Sequence, residues 1–75
     1  LMRLRVPGDY RGWLVVGMAL ATMGRYHEAL IALDRAIDRE PEAAEAFAAR
    51  ADIHERMGHG QLASIDRARA AYLRA

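Results

Sequence analysis

Apolar residues along this chain recur at steps of three and four, the period of a helix half buried against a neighbour, and no segment alternates as a strand would. Trp13, Val16, Gly17, Leu20 and Gly24 share one such stripe, and Asp9 suits an N-cap, so the pattern predicts a first helix from about Tyr10 to Met23, stopped by Gly24. Ala29, Leu30, Leu33, Ala36 and Ile37 form the stripe of a second helix, from about Tyr26 to Arg39. Small residues at Gly17 and Ala29 would let the two approach closely as an antiparallel hairpin. Pro41 disfavours helix in the residue before it and suits a first turn, where Glu42 and Glu45 complement the positive end of the helix dipole. A third helix is therefore expected to begin near Pro41 to Ala43 and to run to about Met57. Gly58 and Gly60 mark another turn, and a fourth helix follows from about Gln61 to Arg74.

The pattern also repeats itself. At a spacing of 34 residues Pro7 answers Pro41, Trp13 answers Phe47, Gly17 answers Ala51, Met23-Gly24 answers Met57-Gly58, Ala29 answers Ala63, Ile31 answers Ile65, and Ala36 answers Ala70. A supersecondary unit copied at fixed spacing marks an array whose copies bury their apolar faces against one another, which points to binding rather than chemistry. Trp13-x2-Val16-Gly17-x2-Leu20, followed by Ala29-x3-Leu33, Ala36 and Pro41, resembles the tetratricopeptide repeat. That resemblance implies an all-α fold of helix-turn-helix hairpins stacked as a short α-solenoid. One hairpin is expected over residues 10–43 and a second, divergent one over 44–75, with residues 1–9 the stump of a preceding repeat or an N-terminal tail.

The second copy departs from the pattern. At the strict offset Arg50 replaces the expected Leu, His54 replaces the Tyr, Gly60 stands opposite Tyr26, and Arg67 stands opposite Leu33. An offset of 32 residues instead aligns Leu30-x-x-Leu33-Asp34-Arg35-Ala36 with Leu62-x-x-Ile65-Asp66-Arg67-Ala68. A buried, unpaired guanidinium costs several kcal/mol, far more than shortening a turn, so the shorter offset is preferred for the last helix. Its inner stripe would be Leu62, Ile65, Ala68 and Tyr72, with Arg67 outside. The Ala29/Ala63 and Ala36/Ala70 echoes argue the other way, and the accessibility of Arg67 is taken to decide.

Composition narrows the function. A domain of 75 residues buries only about 60% of its unfolded surface, so further repeats or another chain are expected to support it. The net charge of +1, with both signs interspersed, creates no field to attract nucleic acid or anionic lipid. Arg67, Arg69 and Arg74 come nearest to a basic patch, but Asp66 adjoins them and Tyr72 is the one aromatic platform nearby. With no cysteine there are no disulfides or thiolate metal sites, which fits a cytoplasmic setting. The longest apolar stretch, Trp13 to Met23, is too short to cross a membrane, and Leu1 to Val6 lacks the length of a signal peptide. All eleven basic residues are arginine, and sixteen alanines accompany them without a single Lys or Asn, a GC-rich bias that suggests a bacterial source.

Catalytic parts are scarce. His54 and His59 are five residues apart across a helix end, not the spacing that sets two ligands on one helical face, so no metal site is expected. His54 reads as a partly buried residue between helices, His27 and His59 as surface. Ser64 is the sole serine, no Gly-rich loop follows a strand, and Asp34 and Asp38 are flanked by Arg35 and Arg39 as a solvated surface. No enzyme activity, cofactor or small-molecule substrate is expected. The resemblance implies that the first helix of each hairpin lines a concave wall, giving as contact residues Arg11, Leu14, Met18, Ala21 and Thr22, then Glu45, Ala48, Asp52, Glu55 and Arg56. Asp52 and Arg56 read as an ordinary i,i+4 ion pair. Leu14, Met18 and Ala21 make a second apolar stripe on the first helix, which must be covered by a partner helix or peptide, or by an upstream helix or second copy. The Lys and Asn side chains with which some family members grip a C-terminal carboxylate are absent, and Leu14, Met18 and Ala49 stand where such residues would be expected. The expected function is a scaffold for a protein or peptide partner, with homo-oligomerisation as the second reading.

Overall fold

The computed structural model describes residues 9–75, so the stump expected at the N-terminus lies, Asp9 apart, outside the described residues. Four α-helices follow in order, α1 (Tyr10–Thr22), α2 (Tyr26–Arg39), α3 (Ala44–Arg56) and α4 (Gly60–Arg74), with no strand among the described residues. The short turns fold α1 back on α2 and α3 back on α4, and α2 packs on α3, so the two hairpins stack.

Both hairpin turns are built the same way. Gly24 (φ 79°) and Gly58 (φ 84°) adopt the left-handed conformation that ends each helix, a region that a Cβ makes costly. The N–H of Arg25 then donates to the Leu20 carbonyl at 2.9 Å, and the N–H of His59 to the His54 carbonyl at 2.7 Å, satisfying orphaned carbonyls at the two helix ends. The helix starts are less regular. Asp9 holds the N-cap position of α1, yet its carboxylate makes no capping hydrogen bond; its carbonyl accepts from Gly12 N–H at 2.9 Å instead. Pro41 and Glu42 lie in a turn ahead of α3, which begins one residue later than expected, at Ala44. Pro41 thus ends one hairpin rather than opening the next helix.

The core is made largely of small side chains at helix crossings. Leu33, fully buried, lies against Gly17, where an added Cβ would stand 2.8 Å from its Cγ and 3.3 Å from the Ala29 carbonyl oxygen. One cluster joins Ala29, Leu33 and Ile53, and the other joins Ala36, Ala43 and Ala46. Trp13 packs against the second cluster with the Arg35 guanidinium 5.4 Å over its ring, so it ties α1 to α2 and to the start of α3. Leu14 borders both clusters.

The register preferred for α4 is overturned. Ala63, Asp66 and Ala70 face inward, whereas Leu62, Ile65 and Tyr72 are exposed, at 47%, 63% and 72%, as is Ala68. The helix therefore keeps the strict 34-residue register of the Ala29/Ala63 and Ala36/Ala70 echoes. Arg67 is nonetheless half exposed, because in this register it sits on the flank of α4 and reaches back to Asp52 and Glu55 of α3. Its accessibility could not separate the two offsets. The feared buried cation is Arg50, and it is paired. Its Nε and one terminal nitrogen donate to the two carboxylate oxygens of Asp66 at 2.9 and 3.0 Å, and the other terminal nitrogen donates to Asp34 of α2 at 2.8 Å. Arg50 and Asp66 occupy the repeat positions of Val16 and Ala32, so two apolar positions of the first hairpin carry a bidentate ion pair in the second.

Candidate functional site

A groove of about 460 Å³ opens between α1 and α3. Its floor is Ile53, 2% exposed, with half-buried Ala21, Tyr26 and Ala49 beside it. Met18, 53% exposed, and Thr22 form one wall, Asp52 and Arg56 the other, and Gly24 closes the end. The Thr22 hydroxyl donates to the Met18 carbonyl at 3.0 Å, so its hydrogen is already engaged within the helix.

Of the contact residues expected from sequence, Met18, Ala21, Thr22, Asp52 and Arg56 line this groove, while Arg11, Leu14, Glu45, Ala48 and Glu55 do not. Leu14 is partly buried against both clusters of the protein's own core. The guanidinium of Arg11 lies 5.2 Å over the Tyr10 ring. Tyr26, Ala49, Ile53 and Gly24 were not anticipated. Ala49 and Ile53 lie four apart on α3 and were legible as a helical pair; Tyr26 comes from the first residue of α2, just after the Gly24 turn.

The charges on the groove wall are arranged differently from the sequence expectation. Asp52 does not pair with Arg56. It accepts from Arg67 of α4 at 3.2 Å, and the same guanidinium nitrogen donates to Glu55. Arg56 has no ion-pair partner among the described residues. Contacts of this exposed kind contribute little to stability, roughly 0–1 kcal/mol each, but they decide which charges remain open to a ligand.

Outside the groove, the Tyr10 hydroxyl donates to the Glu45 carboxylate at 2.9 Å, linking the first turns of α1 and α3. The Glu45 carboxyl is held below its ordinary range, first by its own backbone N–H and then by the Tyr10 hydroxyl, and the same bond raises the Tyr10 phenol. A depressed carboxylate contributes stability that is whole above its unfolded value and is lost as pH falls through its folded value. Tyr10→Phe is therefore expected to move the Glu45 titration upward in an NMR pH series, with the pH-dependent part of its stability effect disappearing on acidification. An unmoved Glu45 titration would show that the hydrogen bond is not formed in solution.

His54 is largely buried between α3 and α4, with its Nε2 3.9 Å from Asp66, and its Nδ1 meets the Nδ1 of surface His59 at 3.3 Å. The Gly58 turn brings the two rings together although their spacing does not. Among the described residues no group of three or more His, Asp or Glu side chains converges as a metal centre would require. No helix among them is long and apolar enough to cross a membrane.

Stacked helical hairpins with a small-residue crossing inside each, a Trp wedged where two hairpins meet and a groove walled by their first helices define a helical-repeat solenoid. The tetratricopeptide repeat family model matches residues 11–53, from α1 through most of α3, and the chain belongs to that family. Repeats of this family mediate protein–protein interaction and are typically non-enzymatic scaffolds. No curated protein matches the chain.

Proposed function

We propose that the chain is a binding module without catalysis, in which hairpins 10–43 and 44–75 together present the groove between α1 and α3 to a helix or peptide of a partner protein. The observation that carries this reading is Met18, a large apolar side chain half exposed directly above the buried Ile53 floor. An apolar surface open on one side gains roughly 25 cal/mol per Å² when a partner covers it. Methionine adapts to varied side chains, which suits a wall that must fit a partner. Met18→Glu is expected to abolish recovery of partners by the full-length protein while leaving the helical circular dichroism and urea midpoint nearly unchanged, since the side chain points outward. Equal recovery by the variant would sink the groove assignment. Leu14→Glu is not a clean probe, because it would place a charge in the core.

Self-association rests on a different surface. Val15 and Val16 of α1 are 64% and 45% exposed. Val16 stands at the repeat position of Arg50, which contacts the preceding helix α2 through Asp34. The equivalent flank of α1 would thus accept a helix from a second copy. Light scattering across a concentration series separates the readings: a mass that rises with concentration and falls back on Val16→Glu supports self-association, and a constant monomer mass excludes it.

A further inference from the structure

We infer that the segment held in the groove carries a carboxylate within one helical turn of its apolar anchor, and that Arg56 receives it; this rests on the groove reading above. On one helix, four residues apart, Asp52 and Arg56 would ordinarily neutralise each other. Arg67 prevents this by drawing Asp52 toward α4 at 3.2 Å. Among the described residues Arg25 pairs with Glu28, Arg50 with Asp34 and Asp66, and Arg67 with Asp52 and Glu55; Arg56, like Arg11, Arg35, Arg39, Arg69 and Arg74, is in no ion pair, and of these arginines it is Arg56 that lines the groove. A planar guanidinium with its donors uncommitted is matched by a carboxylate, which it can hold through two parallel hydrogen bonds. A basic ligand is disfavoured, because the groove's one carboxylate is already occupied and the Arg67 charge stands behind it. The distance between the two features of the ligand follows from α3: Ile53 and Arg56 are three residues apart, about 5–6 Å between Cβ atoms. An aliphatic side chain seated on Ile53 beside Met18 and Tyr26 therefore places an acid one turn away against Arg56. Arg67 touches no ligand in this arrangement; it is a positioning residue that keeps Arg56 free.

The test uses two fluorescently labelled alanine-based helical peptides, both capped so that no terminal carboxylate contributes, with Leu followed one turn later by Glu in one and by Gln in the other. The full chain is expected to bind the Glu peptide up to about fivefold more tightly, the upper range for a solvent-exposed charge pair, with the preference shrinking at high salt. Arg56→Gln should erase the preference but keep the weaker binding of the Gln peptide. Arg67→Gln, outside the groove, should also reduce the preference, by returning Asp52 to Arg56, and Arg67→Gln with Asp52→Asn should restore it. Equal affinities in the wild type, both lost on Met18→Glu, would overturn the acid assignment and leave the groove reading standing. A preference that survives Arg56→Gln would overturn it as well. Binding insensitive to Met18→Glu, or no binding of either peptide, would remove the groove reading together with the inference.

Discussion

Arg50→Ala is expected to cost about 3 kcal/mol of unfolding free energy, the low end of the range for removing one partner of a buried ion pair. The Asp66 side chain is only 6% exposed, and once the guanidinium is gone no arginine remains paired with it; His54 Nε2 lies 3.9 Å away. The Arg50 side chain is a quarter exposed, at 25%, so water can enter from that side and keep the cost at the low end. The opposite carboxylate matters less. Asp34 is 58% exposed, and Asp34→Ala should cost under about 1 kcal/mol. The pair as a whole is expected to be replaceable. Arg50→Val combined with Asp66→Ala places in the second hairpin the residue types found at Val16 and Ala32 of the first, and should recover part of the loss, since it removes the carboxylate that Arg50→Ala leaves buried and unpaired. Urea midpoints at unchanged slope for the wild type, Arg50→Val, Asp66→Ala and the double variant measure all four corners of this cycle. A double variant as unstable as Arg50→Ala would mean that Arg50 acts through its guanidinium over the Phe47 ring, 5.4 Å away, and not through its pairing with Asp66.

Gly17→Val is expected to destabilise the first hairpin by about 3 kcal/mol, the upper end of ordinary overpacking. Even the first added carbon would stand 2.8 Å from Leu33 Cγ and Cδ2, and Leu33 is fully buried. The Ala29 carbonyl at 3.3 Å blocks the other side, so α1 and α2 must separate. Gly12 on the same helix is the control. A Cβ there meets nothing within 4 Å, and Gly12→Ala should stabilise by about 0.5–1 kcal/mol through helix propensity alone. Equal midpoints for Gly17→Val and the wild type would show that the helices do not cross as closely in solution.

Local signals were enough for the helices and their turns. The periodic stripes placed four helices, and α2 begins and ends where its pattern does, at Tyr26 and Arg39. Gly24 and Gly58 marked the turns because glycine alone adopts their left-handed backbone without strain. Five groove residues, Met18, Ala21, Thr22, Asp52 and Arg56, were also accessible, since the resemblance to the tetratricopeptide repeat says which helix of each hairpin faces the concave side. Leu14 packs against both core clusters; its stripe is apolar either way, and periodicity does not distinguish a core contact from an open face.

What the tertiary structure decided is where the long charged side chains go. Sequence spacing paired Asp52 with Arg56 and set Arg67 outside the hairpin interior; the packed helices pair Asp52 with Arg67, free Arg56, and place Arg50 between Asp34 and Asp66. The same placement settles the register of α4, because Asp66 is a tolerable inward residue only with Arg50 opposite it. Backbone period and glycine conformation act over a few neighbouring residues and are written in the chain. The choice of a guanidinium among carboxylates depends on which ones neighbouring helices bring within its reach, and that is a property of their packing.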